Sequence, residues 1–403
     1  MKTEMERTAG ETSTPRKERL FSLDVLRGID MFLLTGGIAG VMIFVCNHVG
    51  LAEWGAYHIG HHAPWEGFSF WDIIMPLFIF ICGAAVPLAL EKRLAQGKKA
   101  FWKHVAGRVG LLWICGMCVQ GGLLSYNLME IRFFSNTLQA IAVGYLVAAF
   151  VMSFRRRWLV PATAAVLAVV YALLLHFLGD YSLRGNFAYA VEMKIFRCVY
   201  PEDAAAVKML MKYGYTWILS SMMFGVMTLC GMFCTQIFIG GLSPWRKAGM
   251  VALFGAGLLA AGFALQPWIP RIKSIATFTF TAQSMGYSAL AWAALYALTD
   301  IWRFRRGMGI LLLFGQNALF AYMVTHIFGR FPYAISQSFY GGLQHFFTPE
   351  GWKEWHPLIR GLFNMATMIF LLRYWVLVKE GKRARKINTL ATLELAAIPH
   401  WQH

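Results

Sequence analysis

Long apolar runs separated by short basic tracts set the character of this chain. Ten runs, at roughly 29–46, 68–90, 109–126, 137–153, 158–178, 216–240, 248–266, 275–298, 308–329 and 358–378, approach or exceed the ~20 residues that cross a bilayer. Within each run the apolar residues are continuous rather than alternating, which excludes the two-residue period of a transmembrane β-barrel. The pattern predicts an all-α fold: a polytopic transmembrane helical bundle of about ten spans over residues 21–378. A disordered polar tail is expected over 1–20 and a cytoplasmic tail over 379–403. The opening segment, MKTEMERTAGETSTPRKER, lacks the basic start and short apolar core of a signal peptide.

Composition supports a membrane protein. The chain is 58% hydrophobic and 14% charged, far too apolar for a soluble domain of 403 residues. Its net charge of +17 would suit a nucleic-acid binder. The basic residues instead occupy the tracts between runs, where they read as topology signals and as contacts to anionic lipid or ligand phosphate. Alternating the loops between two sides puts 26 of the 37 Lys and Arg residues on one side and 11 on the other. Both termini are therefore expected in the cytoplasm. The segment His58–Trp65 and the long loops 180–215 and 330–357 then face the outer or luminal side. Loops of that length act as lids or binding surfaces as readily as they form inert caps.

Cysteine chemistry adds little. Six of the seven cysteines lie in apolar runs, and the Cys115–Cys118 pair sits on a membrane helix, where packing is the simpler role. Neither a disulfide framework nor an N-glycosylation sequon is present.

The chemistry concentrates in HIGHHAPWEGFSFWDIIMPLFIFICG, residues 58–83. Polar groups beside a bilayer are costly unless they line a cavity, and titratable imidazoles at such a boundary are candidates for catalysis. His58, His61 and His62 have metal-ligand chemistry but no strict ligand spacing, so no metal is expected. A general-base histidine fits better, because Asp72 lies ten residues beyond His62 and can fix an imidazole tautomer. Asp72 can equally cap the following helix, and the two roles are compatible. Asn47 and His48 end the first run at the same boundary. Asp24 and Arg27 share one helix face, as a solvated pair or as a ligand for an anion. Arg132 and Gln139 lie in EIRFFSNTLQAIAVGY, Asn317 and His326 in FGQNALFAYMVTH. Intramembrane amides of this kind join helices or bind ligand.

At these residues the chain resembles the catalytic membrane domain of the heparan-α-glucosaminide N-acetyltransferase family. The matching pieces are SLDVLRG at Ser22–Gly28, HAPWEG at His62–Gly67 followed by DIIMPLFIFICG, LQAIAVGY at Leu138–Tyr145, and GQNALFAY at Gly315–Tyr322. The resemblance implies a transmembrane acetyltransferase, with acetyl-CoA as donor and an amino-sugar or glycan acceptor. It maps the family histidine to His62, the asparagine to Asn47 and the aspartate to Asp72. The arginine that commonly follows the family's Leu-Gln pair is Ala140 here. A compact bacterial-type member in a cytoplasmic membrane is implied.

The expected reaction moves acetyl from cytosolic acetyl-CoA to a glucosamine-type amine on the far side. His62 would serve as base or acyl carrier, Asn47 as donor to the thioester oxyanion and Asp72 as orienting group. Trp65, Glu66, Arg132, Gln139 and Asn317 are the candidate acceptor-binding residues; Trp65 would stack on a sugar or anchor the interface. Arg27, Arg108, Arg303 and Arg306 are candidates for the CoA phosphates. Membrane lipid is an expected partner, nucleic acid is not, and a homodimer is compatible with the class. A transporter of an amino sugar or other small solute is the alternative reading, and a metal-binding membrane sensor a third.

Overall fold

The computed structural model describes residues 20–126, 131–134, 136–199, 208, 216–327 and 331–396. The expected tail at residues 1–19, most of the stretch 200–215 and residues 397–403 lie outside the described residues. Among those described, every regular element is a helix. We number the α-helices α1 (Phe21–Thr35), α2 (Ile38–His48), α3 (Ala52–Gly55), α4 (Ile74–Ala95), α5 (Lys98–Val119), α6 (Thr137–Ser153), α7 (Leu159–Phe177) and α8 (Phe187–Val199). They continue as α9 (Ser221–Phe238), α10 (Pro244–Ala264), α11 (Phe278–Tyr296), α12 (Gly309–Gln316), α13 (Ala318–Ile327), α14 (Phe331–Tyr340) and α15 (Pro349–Ala396).

Among the described residues, five helical segments are long and apolar enough to cross a membrane: Phe70–Ala95, Leu159–Phe177, Ser221–Phe238, Pro244–Ala264 and Pro349–Gly381. Two bent pairs raise the number to seven if each counts as one span. The other three predicted runs also form helices, but these are shorter or more polar. α6 has 17 residues, α5 begins at Lys98 rather than near residue 109, and α11 carries Thr, Ser and Gln along its length.

Both bends have local causes. The first predicted run divides into α1 and α2, which meet at 77°. Gly37 takes the left-handed conformation at φ +72°, and a Cβ there would come within 2.7 Å of the Asn364 Cβ. The ninth run divides at Asn317 into α12 and α13, at 72°. Its amide donates to the Leu313 carbonyl at 2.9 Å and accepts from Lys379 Nζ at 3.1 Å, so a carbonyl freed by the break keeps a partner. The last predicted run is the centre of α15, which continues through residues 379–396, so much of the expected tail is helical.

Small residues let the central helices touch. A Cβ on Gly83 of α4 would lie 1.9 Å from the Thr228 carbonyl oxygen of α9, and one on Gly231 of α9 would lie 1.9 Å from that of Phe80. Close backbone approach of this kind replaces the hydrophobic drive that lipid cannot supply. The start of α1 is fixed from a distance: Asp300 accepts from the amides of Phe21 (3.1 Å) and Ser22 (2.9 Å), two donors with no partner inside their own helix.

Candidate active site

Asp72 is fully buried at the start of α4. Ser69 is extended, and the Asp72 side chain turns back to accept from Ser69 N at 2.9 Å and Ser69 Oγ at 3.0 Å. This capping box opens the short 3-10 turn Phe70–Ile73 and satisfies donors a helix start leaves open. The same Oδ2 accepts from Ala63 N at 3.2 Å. Oδ1 lies 2.9 Å from His62 Nδ1 and accepts from Lys273 Nζ at 2.9 Å. Asp72 thus caps its helix and holds the histidine at once. Lys273 also lies 3.1 Å from His62 Nδ1. Among the described residues no hydrogen bond engages His62 Nε2, and the His62 side chain is 65% exposed.

Two loops carry these groups, and both are pinned. The Trp71 indole donates to the Ile59 carbonyl, and the Gly67 amide to the Arg271 carbonyl at 3.0 Å. Gly67 sits at φ +149°, where a Cβ would press on Ala63 and Tyr57 at 3.0 Å. The Thr277 hydroxyl donates to the Pro270 carbonyl (2.9 Å) and accepts from Ile272 N (3.0 Å), closing the turn that presents Lys273. Burial pulls the Lys273 ammonium below the usual lysine range, and the adjacent Asp72 charge opposes that shift.

His61, His62 and Lys273 border a cavity of about 480 Å³. Its other walls come from the α1–α2 break (Leu33, Gly37), the start of α4 (Trp71, Phe78), and Tyr322 and His326 of α13. The His326 ring stacks on Tyr322, 4.1 Å between centroids, and its Nδ1 lies 2.9 Å from the Tyr322 carbonyl oxygen. The cavity is mostly apolar with a few convergent polar groups, as small-molecule sites are. Among the described residues no three His, Cys, Asp or Glu side chains gather as a metal site.

The other sequence candidates scatter. Asn47 is exposed near the end of α2 and does not border the cavity. Its neighbour His48 pairs with Glu354 of α15 at 3.0 Å. His58 packs against the Trp54 ring and edge-on to that of Tyr57. The Trp65 indole donates to the Tyr181 carbonyl at 2.8 Å and packs near Trp217, while Glu66 is exposed. Arg132 donates to the carbonyl of Gln120, a cavity residue. Gln139 is buried and donates to the Phe133 carbonyl at 2.6 Å, and Asn317 serves the second helix break. Arg27 pairs with Asp24 at 3.4 Å. Arg108 lies over the Tyr145 ring, 5.0 Å from its centroid. Arg303 and Arg306 are exposed in the link before α12. Lys273 is a residue of the cluster that the sequence pattern does not single out. A lysine on the His62 side of the bundle, just before an apolar run, was the available signal.

The fold and the cluster define an integral membrane protein with a His–Asp–Lys cluster beside a cavity. Residues 19–186 match the family model described as heparan-alpha-glucosaminide N-acetyltransferase, catalytic, a stretch containing both His62 and Asp72. The human protein of that name is 32% identical over 138 residues, covering 32% of this chain and 18% of the human protein. The mouse protein is 28% identical over 151 residues, covering 36% and 21% respectively. Over that stretch the chain is similar to this acetyltransferase family, and the matched stretch spans about a fifth of the length of those curated relatives.

Proposed function

We propose that this protein transfers an acetyl group from acetyl-CoA to the amine of a glucosamine-type sugar, with His62 at the reacting centre. The observation that carries the reading is the His62–Asp72–Lys273 cluster at the cavity, of which His62 and Asp72 lie within the segment that matches the family. Asp72 accepts from His62 Nδ1–H and leaves Nε2 as the base that takes the proton of the attacking amine. Lys273 compensates the buried Asp72 charge and keeps the carboxylate an acceptor. When Nδ1 is unprotonated it accepts from Lys273 instead, so the ring keeps a partner in either tautomer. A route through an acetyl-histidine uses the same geometry.

The charge asymmetry supports about ten spans, cytoplasmic termini and entry of the donor from the cytoplasm. Arg27, paired with Asp24, and Arg108, over the Tyr145 ring, are the preferred ligands for the anionic donor; Arg303 and Arg306 would meet it only at the mouth. Of the far-side candidates, Arg132 is tied to the cavity wall through the Gln120 carbonyl. Asn47 would reach the thioester only if α2 shifted.

The purified protein with acetyl-CoA and glucosamine should release CoA thiol, and His62→Ala should abolish the release with folding intact. Unchanged turnover in that variant sinks the assignment. The two broken helices beside the cavity also suit a transporter, in which discontinuous helices bind solute. Uptake of amino sugar without thiol release from acetyl-CoA would favour that reading.

A further inference from the structure

We propose that the cavity at the opposite end of α4 from Asp72, walled by Arg155, Arg156 and Arg157, binds the phosphate headgroup of an anionic phospholipid. One acyl chain of that lipid would lie in the apolar groove that Arg156 also borders.

The cavity measures about 400 Å³ and lies between the ends of α4, α6, α7 and α9, with Glu91, Met152 and Gln236 in its wall. The three arginines form most of the link between α6 and α7. Arg155 adopts φ +58°, a left-handed conformation that non-glycine residues seldom take unless the surroundings impose it. Its guanidinium donates to the Leu94 carbonyl at 3.0 Å, tying the link to α4. Three cations face the single carboxylate of Glu91, so the cavity favours an anion. Guanidinium groups match the oxygens of a phosphate in bidentate geometry.

The second observation is the groove. Trp102, Leu146, Phe150, Phe154 and Leu167 line a depression of about 800 Å³ on the outer faces of α5, α6 and α7. Arg156 borders both this groove and the cavity, so a charged head and an apolar tail would meet at one residue. Phe150, Phe154 and Trp158 are more than half exposed, an arrangement stable against lipid but not against water. Depth agrees as well. The 22 residues of α4 rise about 33 Å, close to the ~30 Å hydrocarbon thickness. The arginines therefore sit at the headgroup layer across the bilayer from His62. A free nucleotide would use the arginines and leave the groove unfilled. The inference stands apart from the acyl-transfer reading.

The test is native mass spectrometry of the full-length protein, delipidated in detergent and titrated with phosphatidylglycerol or phosphatidylcholine. Wild type should retain phosphatidylglycerol roughly tenfold more tightly. The pair Arg156→Gln and Arg157→Gln should erase that preference without moving the lipid-free melting temperature, and the pair Arg246→Gln and Lys247→Gln should keep it. If the first pair melts early, Arg156→Lys carries the test, because it keeps the charge and loses the fork; unchanged retention then overturns the site. Equal binding of the two lipids, equal loss in both pairs, or displacement of the lipid by adenosine 3′,5′-bisphosphate would each overturn it too, the last by making the cavity a nucleotide site.

Discussion

Asp72 and Asp30 are both fully buried, yet they live in opposite circumstances. Both Asp72 oxygens are occupied, by Ser69, Ala63, His62 and Lys273. Neither Asp30 oxygen has a hydrogen-bond partner among the described residues. The difference follows from position along a helix. Asp72 stands at a helix start, where backbone amides are open, and two loops bring further donors. Asp30 lies inside α1, where the amides are committed to the helix ladder. Glu192 of α8 is intermediate. Its Oε1 accepts from the amides of Ile218 and Leu219, the latter at 3.3 Å, while Oε2 is unpaired. Three buried carboxylates thus form a series in the number of donors that each one meets.

The largest effect is expected at the fully paired member. Asp72→Asn keeps the shape but cannot accept from both the imidazole and the ammonium with full charge. Acetyl transfer should fall roughly a hundred- to ten-thousandfold, and stability by about 3 kcal/mol, because Lys273 is left as a buried cation without its partner. Thiol release and thermal melting in detergent measure the two. Near-normal turnover would reduce Asp72 to a helix cap.

Lys273 sharpens the same end of the series. Lys273→Met should lower kcat roughly ten- to a hundredfold with little change in the KM for acetyl-CoA, and Lys273→Arg should recover part of the loss. A KM effect alone would make Lys273 a donor ligand. This residue also shows what the sequence could and could not disclose. His62 and Asp72 are ten residues apart on one loop and helix start, so their pairing was legible from local spacing. Lys273 joins them from 201 positions further along, through a turn built by Thr277, and no periodicity in a single chain encodes that contact. The helical class and its apolar runs were legible for the same local reason. The break at Gly36–Gly37 was not, because the run stays apolar through it, and the bend leaves Asn47 exposed rather than beside His62. The candidate arginines split likewise. Arg27 pairs with Asp24 and Arg108 lies over the Tyr145 ring, whereas Arg303 and Arg306 are exposed in the link before α12, a distinction that charge counting does not make.

Glu192 should report its half-satisfied state through pH. Burial pushes its carboxyl up to about 7 from an ordinary 4.5, against the opposing pull of the Leu219 and Ile218 amides. The folded protein therefore binds this proton more tightly than the unfolded chain does. Its contribution is full below about pH 4.5, declines as the unfolded chain ionises, and is lost by about pH 7, a change of roughly 3 kcal/mol. Glu192→Gln should flatten the dependence of melting temperature on pH across that window. A wild-type slope of opposite sign would mean that the amides of Ile218 and Leu219 outweigh the burial.

Asp30 carries the smallest expected effect and closes the series. With no donor at either oxygen, its carboxyl gains nothing from the surrounding helices that an amide or hydrocarbon would lose. Removing a buried polar group that has no partner is close to neutral or stabilising, whereas removing one from a satisfied network leaves its partners orphaned. Asp30→Asn and Asp30→Leu should each change stability by less than about 1 kcal/mol, with acetyl transfer within about threefold of wild type, since Asp30 does not border the His62 cavity. Melting and thiol-release assays on the two variants, run beside Asp72→Asn, measure the contrast directly. A loss at Asp30 as large as that at Asp72 would mean that donor count does not rank these carboxylates, and that a ligand or proton taken up in the working protein completes the Asp30 site.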